Sequence, residues 1–86
     1  MYNYETEKKI LFTDKGQRLF LKIRDYVKNR IKEAGAVRLD KIISQFSGNT
    51  WEMMACVDRM VELEEITEVN KDVVFDYRIY TYYDFH

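Results

Sequence analysis

Phe20, Ile23, Val27, Ile31 and Ala34 recur at steps of three and four residues. That is the period of one helical face, and it predicts a helix from about Lys15 to Ala34. Asp14 lies just ahead of it with Gln17 three positions on, the spacing of a capping box. Gly35 follows, suited to the left-handed residue that ends a helix. Arg18, Lys22, Lys28 and Lys32 share the broad face away from the apolar stripe, with Leu21 among them.

"AVRLDKIISQF" reads as a short extended piece and a second helix, with Asp40 as its cap and Ile42, Ile43 and Phe46 as its apolar positions. "SGN" is a turn. Asn49 then caps a third helix, with Glu52 three residues later completing another capping box. Met53, Val57, Met60 and Leu63 step along one face of that helix, with Cys56 beside them. "ITEV" predicts a strand and "NKD" a tight turn. "VVFDYRIYTYY" predicts a second strand, with Val73, Phe75, Tyr77 and Ile79 on one side of its pleat. The fold class is therefore mainly α with a small antiparallel sheet. Residues 1–86 read as one domain, with 1–13 as an N-terminal arm and 80–86 as an aromatic C-terminal tail.

Residues 36–79 resemble a winged-helix domain, three helices plus a β-hairpin wing, and the first helix suits the same plan. "RMVELEEI" is similar to the phrase that family writes at the end of its recognition helix and the start of its wing. Met60 and Leu63 fall on its two core leucines and Ile66 on the isoleucine that opens the strand. Glu64 stands where the family often has Gly. A left-handed backbone there costs a residue with a side chain roughly 1 kcal/mol.

Composition narrows the function classes. At 86 residues the chain supports one core. Its 15% aromatic content offers more area for burial than a disordered chain has. The lack of a long apolar run argues against a membrane span or a secretory leader, and the default location is cytoplasmic. The lone Cys56 cannot form an intrachain disulfide and reads as a small buried hydrophobe. Catalysis has little support. There is no glycine-rich phosphate loop, the single histidine is His86, and Ser44 and Ser47 have no base near them in sequence. No cofactor and no metal are expected.

The resemblance implies a DNA-binding regulator with double-stranded DNA as partner. The start of a recognition helix meets base edges, and here that start is Asn49, Thr50, Trp51 and Glu52. Lys41, Ser47, Lys71 and Arg78 are the candidates for phosphate, with Arg59 the one base of the helix. Trp51 could pack on a sugar or fill a gap between helices, and packing at the core or its boundary is the expectation.

Charge complicates this reading. Residues 1–41 hold eleven Lys and Arg against six Asp and Glu, and residues 42–86 hold three against nine. The helix that should approach DNA carries Glu52, Asp58 and Glu62 and runs on to Glu64 and Glu65, yet affinity for DNA comes mainly from cations. The competing class is a winged helix repurposed for protein contacts, an adaptor or inhibitor. Tyr77, Tyr80, Tyr82, Tyr83 and Phe85 would then be partly exposed at an interface, since Tyr joins apolar area to a polar tip. The alternative for this tail is that it pairs with residues 8–12 or with the strand near Arg38 and closes the core. A homodimer joining the basic first helix to an acidic face is a further option, as is single-strand binding by aromatic stacking.

Overall fold

The structure, a computed structural model, describes residues 1–69 and 78–83. Its long helix α2 runs over Asp14–Ala34. Thr13, not Asp14, is the N-cap, because Thr13 is the extended residue whose hydroxyl accepts from the Gly16 amide at 3.0 Å. Asp14 becomes the first helical residue, where its charge suits the positive end of the helix dipole. Phe20, Ile23, Val27 and Ile31 are buried along the predicted stripe, each stabilising the fold by roughly 1.5–3 kcal/mol. Ala34 is exposed at the helix end, and Gly35 closes the helix at a φ of 85°.

Strand β1 (Val37–Arg38) leads into α3 (Leu39–Ser44). Asp40 does not cap α3, since the helix begins one residue earlier; its carboxylate instead takes two bonds from Arg38, at 3.1 and 3.0 Å. Helix α4 (Thr50–Glu62) is capped by Asn49 as expected, whose Oδ1 accepts from the amides of Trp51 and Glu52. Its other end is a Schellman closure. The Glu65 amide donates to the Met60 carbonyl and the Glu64 amide to the Val61 carbonyl, both at 3.0 Å. Glu64 takes the left-handed conformation, with a φ of 58°, at the cost expected of a residue with a side chain. Leu63, expected on the core face, is exposed because α4 ends there.

Strand β2 (Ile66–Glu68) and strand β3 (Ile79–Tyr82) complete a three-stranded antiparallel sheet in the order β1-β3-β2. Tyr80 opposes Val37 on one side and Glu68 on the other. It is therefore 1% exposed, which corrects its place in an exposed tail. The tail closes the core by pairing with the strand at Arg38. Ile79, expected on the inner face, is only half-buried, because the buried parity is that of Tyr80. The predicted turn at 70–72 and the positions Val73, Phe75, Tyr77, Lys71 and Phe85 lie outside the described residues.

The segment expected to be an arm is folded. Helix α1 (Tyr4–Glu7), capped by Asn3, passes into a 3-10 turn over Lys8–Phe12. Leu11 is buried in the core, and Tyr2, Tyr4 and Ile10 pack against it. The Gln17 side-chain amide donates to the Leu11 carbonyl and fastens this segment to α2. Gly16 permits the close approach: a Cβ there would lie 1.7 Å from the Ile10 carbonyl oxygen.

Two substitutions test these backbone features with opposite signs. Gly16→Ala would gain helix propensity at an open site but meets main chain here, so it is expected to lose about 3 kcal/mol. Glu64→Gly relieves the left-handed strain and is expected to gain about 0.5–1 kcal/mol. Denaturant titrations with unchanged slope read both.

Candidate nucleic-acid interface

Helix α4 is enclosed. Met53, Met54, Ala55, Cys56 and Val57 are buried in succession. An α-helix turns fully in 3.6 residues, so at this level no side of α4 meets solvent. α2 packs on one side, and α1 with the 3-10 turn packs on another.

The N-terminal segment is held to α4 by polar groups. The Tyr2 hydroxyl donates to Asp58 at 2.6 Å and the Tyr4 hydroxyl to Glu62 at 2.8 Å. Tyr2 also meets the Trp51 ring edge-on, at 6.4 Å between centroids. Trp51, Asp58 and Glu62 recur at helical spacing, so they mark the side of α4 that faces away from α2. Arg59 is committed within the same cluster: it binds Glu62 at 2.5 Å and lies 5.9 Å from the centre of the Phe12 ring. Burial raises the Asp58 carboxyl above its usual range, against the opposing pull of the Tyr2 bond and of Arg78. The bonds from Tyr4 and Arg59 lower that of Glu62.

Most of the acidic run has internal partners. Glu65 takes Arg24 at 2.8 Å and Lys28 at 3.3 Å. One flank of α2 thereby shares a carboxylate between two cations, and Lys28 is drawn from the basic face on which its spacing put it into an ion pair. Arg78 is paired with Glu68 at 3.3 Å.

The other flank of α2 keeps its charge. Lys15, Arg18 and Lys22 stand one turn apart and line a cleft of about 340 Å³ whose far wall is Ser47, Gly48, Asn49 and Glu52. Among the described residues no carboxylate lies within ion-pair distance of these three cations. The structure thus brings a basic cluster to Ser47 and Asn49 at the start of α4, while Thr50 and Trp51 are exposed off the cleft lining. Trp51, expected to pack at the core or its boundary, is 41% exposed and meets the Tyr2 ring edge-on. Glu52 is the one acid on the cleft.

Lys41 lies elsewhere, at a second hollow of about 300 Å³ with Arg30, Arg38 and Ile79. Of the tyrosines proposed for an interface, Tyr82 is exposed, with its hydroxyl on the Lys28 carbonyl at 2.9 Å, and Tyr83 is half-buried. The sequence offers no sign of a role for Lys15, and it places Arg18 and Lys22 only on the broad face away from the apolar stripe. Their helical spacing was visible, but where the α3–α4 turn crosses α2 was not.

Among the described residues no group of three His, Cys, Asp or Glu could hold a metal ion. No helix among them is long and apolar enough to cross a membrane. No protein family, curated protein or solved structure matches the chain.

Two measurements follow from these environments. Burial pushes the Cys56 thiol up to about 12, so a thiol reagent at neutral pH is expected to label it only at the rate of unfolding. The raised carboxyl of Asp58 binds its proton more tightly folded than unfolded, so its contribution to stability falls as pH rises above 3.8, the ordinary value. Asp58→Asn keeps an acceptor for Tyr2. It is expected to raise the melting temperature at neutral pH and to lose that advantage as pH falls below the ordinary Asp range.

Proposed function

We propose that the chain is a small winged-helix protein that binds double-stranded DNA chiefly through phosphates, with the cleft between the first halves of α2 and α4 as its main contact. The helix order, the short strand before α3 and the sheet order β1-β3-β2 support the winged-helix reading. The observation that carries the DNA reading is the cleft itself. Three cations without ion pairs among the described residues face Ser47 and Asn49, whose polar groups suit phosphate and base edges. With α4 enclosed over Met53 to Val57, its exposed start, Asn49 to Trp51, is the part offered to a groove. Such a protein positions itself on the backbone and reads few bases, a role suited to a regulator that acts with other DNA-bound proteins.

A second reading, a module for protein contacts, is favoured by the enclosure of α4. Tyr2 and Tyr4 cover the acidic groups of the side that a groove-reading helix leaves open.

Lys15→Gln with Lys22→Gln separates the two. On the DNA reading, the slope of log affinity against log salt for a random duplex falls by about two units, one for each phosphate no longer neutralised. Glu52→Gln, which removes the one acid of the cleft, raises affinity several-fold at low salt. Absence of duplex binding at low salt in every form removes the DNA reading and leaves protein contact.

A further inference from the structure

The two hollows lie on the same flank of α2. Lys15, Leu19 and Lys22 line the first and Arg30 the second. Steps of 15, 19, 22, 26 and 30 keep to one side of a helix. Between the hollows, Tyr26 meets Phe46 edge-on at 5.7 Å and seats the end of α3 against that flank. The residues exposed along this part of the chain, Lys41, Ser44, Gln45 and Ser47, are basic or neutral. Asp40, the one acid of α3, is occupied by Arg38.

At the second hollow Lys41 is exposed and has no ion pair among the described residues. Among the described residues Arg30 reaches only Glu33, at 3.6 Å, and its buried Nε has no hydrogen-bond partner. A buried donor without an acceptor is costly, and an anion at the hollow relieves that cost when the guanidinium turns to meet it.

We infer that the second hollow is a further phosphate site, and that one strand of a duplex runs along the α2–α3 flank from Lys15 to Lys41, across the outer side of α3. The inference rests on the DNA reading and extends it, since it moves the interface from the length of α4 to the flank of α2. The dimensions agree with this path. Fifteen residues of helix from Lys15 to Arg30 span about 22 Å. At about 3.4 Å per base pair that is a footprint of six or seven base pairs.

The experiment measures salt slopes with a fluorescein-labelled 20-base-pair duplex of random sequence and a hairpin with a four-base-pair stem. It compares wild type, Lys15→Gln/Lys22→Gln, Arg30→Gln/Lys41→Gln, Lys41→Gln alone, and Lys9→Gln as an exposed cation off the path. Melting temperatures confirm folding, and Lys41→Gln, wholly at the surface, keeps the test valid if the Arg30 variant unfolds. On the long duplex each double variant is expected to reduce the slope by about two units and Lys41→Gln by about one, with Lys9→Gln unchanged. The short stem, about 14 Å long, falls short of the span of about 22 Å from Lys15 to Arg30. Wild type is therefore expected to show a slope at least about one unit shallower on it than on the long duplex. Long-duplex slopes that respond at Lys15 and Lys22 but not at Lys41 overturn the inference and leave the proposed function standing. Equal slopes on both lengths also overturn it. No binding to either probe overturns both.

Discussion

The enclosure of α4 governs the rest of the molecule. A helix with five consecutive buried residues needs cover on every side, and the first 34 residues of this chain supply most of it. α2 gives one wall, and the N-terminal segment gives another by passing close over Gly16. The cover stops short of the first turn of α4, so the start of that helix is exposed beside the basic flank of α2. The acids that look out of place on a DNA-binding helix are explained by the same packing. Asp58 and Glu62 receive the tyrosine hydroxyls of the covering segment, and Glu65 ties the start of β2 to α2.

Charge is distributed by that arrangement more than by sequence position. α2 carries bases around most of its outer surface, yet its two flanks have different fates. Arg24 and Lys28 turn to Glu65 and share its carboxylate. Lys15, Arg18 and Lys22 look toward the α3–α4 turn, where Glu52 is the only acid on the cleft. The basic half of the sequence is thus split into a set held in ion pairs and a set with none among the described residues.

The stripe on α2 was legible because a 3.6-residue period leaves a plain trace, and the caps at Asn49 and Gly35 because few residue types do those jobs. The small antiparallel sheet was legible from β-branched and aromatic runs. The N-terminal segment was not. Its anchors, Tyr2, Tyr4, Ile10 and Leu11, follow no period and acquire meaning only when α4 lies beneath them. At the candidate site, Ser47 and Asn49 came from the sequence through a resemblance. Their meeting with Lys15, Arg18 and Lys22 is a tertiary fact that no local pattern encodes.

The order of strands in the sheet has a consequence for how the chain is made. β3 is the last described strand in sequence and the middle one in space. Among the described residues β1 and β2 do not pair with each other, and each bonds to β3. During synthesis the helices can gather as soon as they emerge, but these two ladders form only after residues 79–82 leave the ribosome, when both close on the same strand. A nascent chain stalled before Ile79 therefore holds the edges of β1 and β2 that face β3 without their partner, and such edges are the feature most prone to join with another chain.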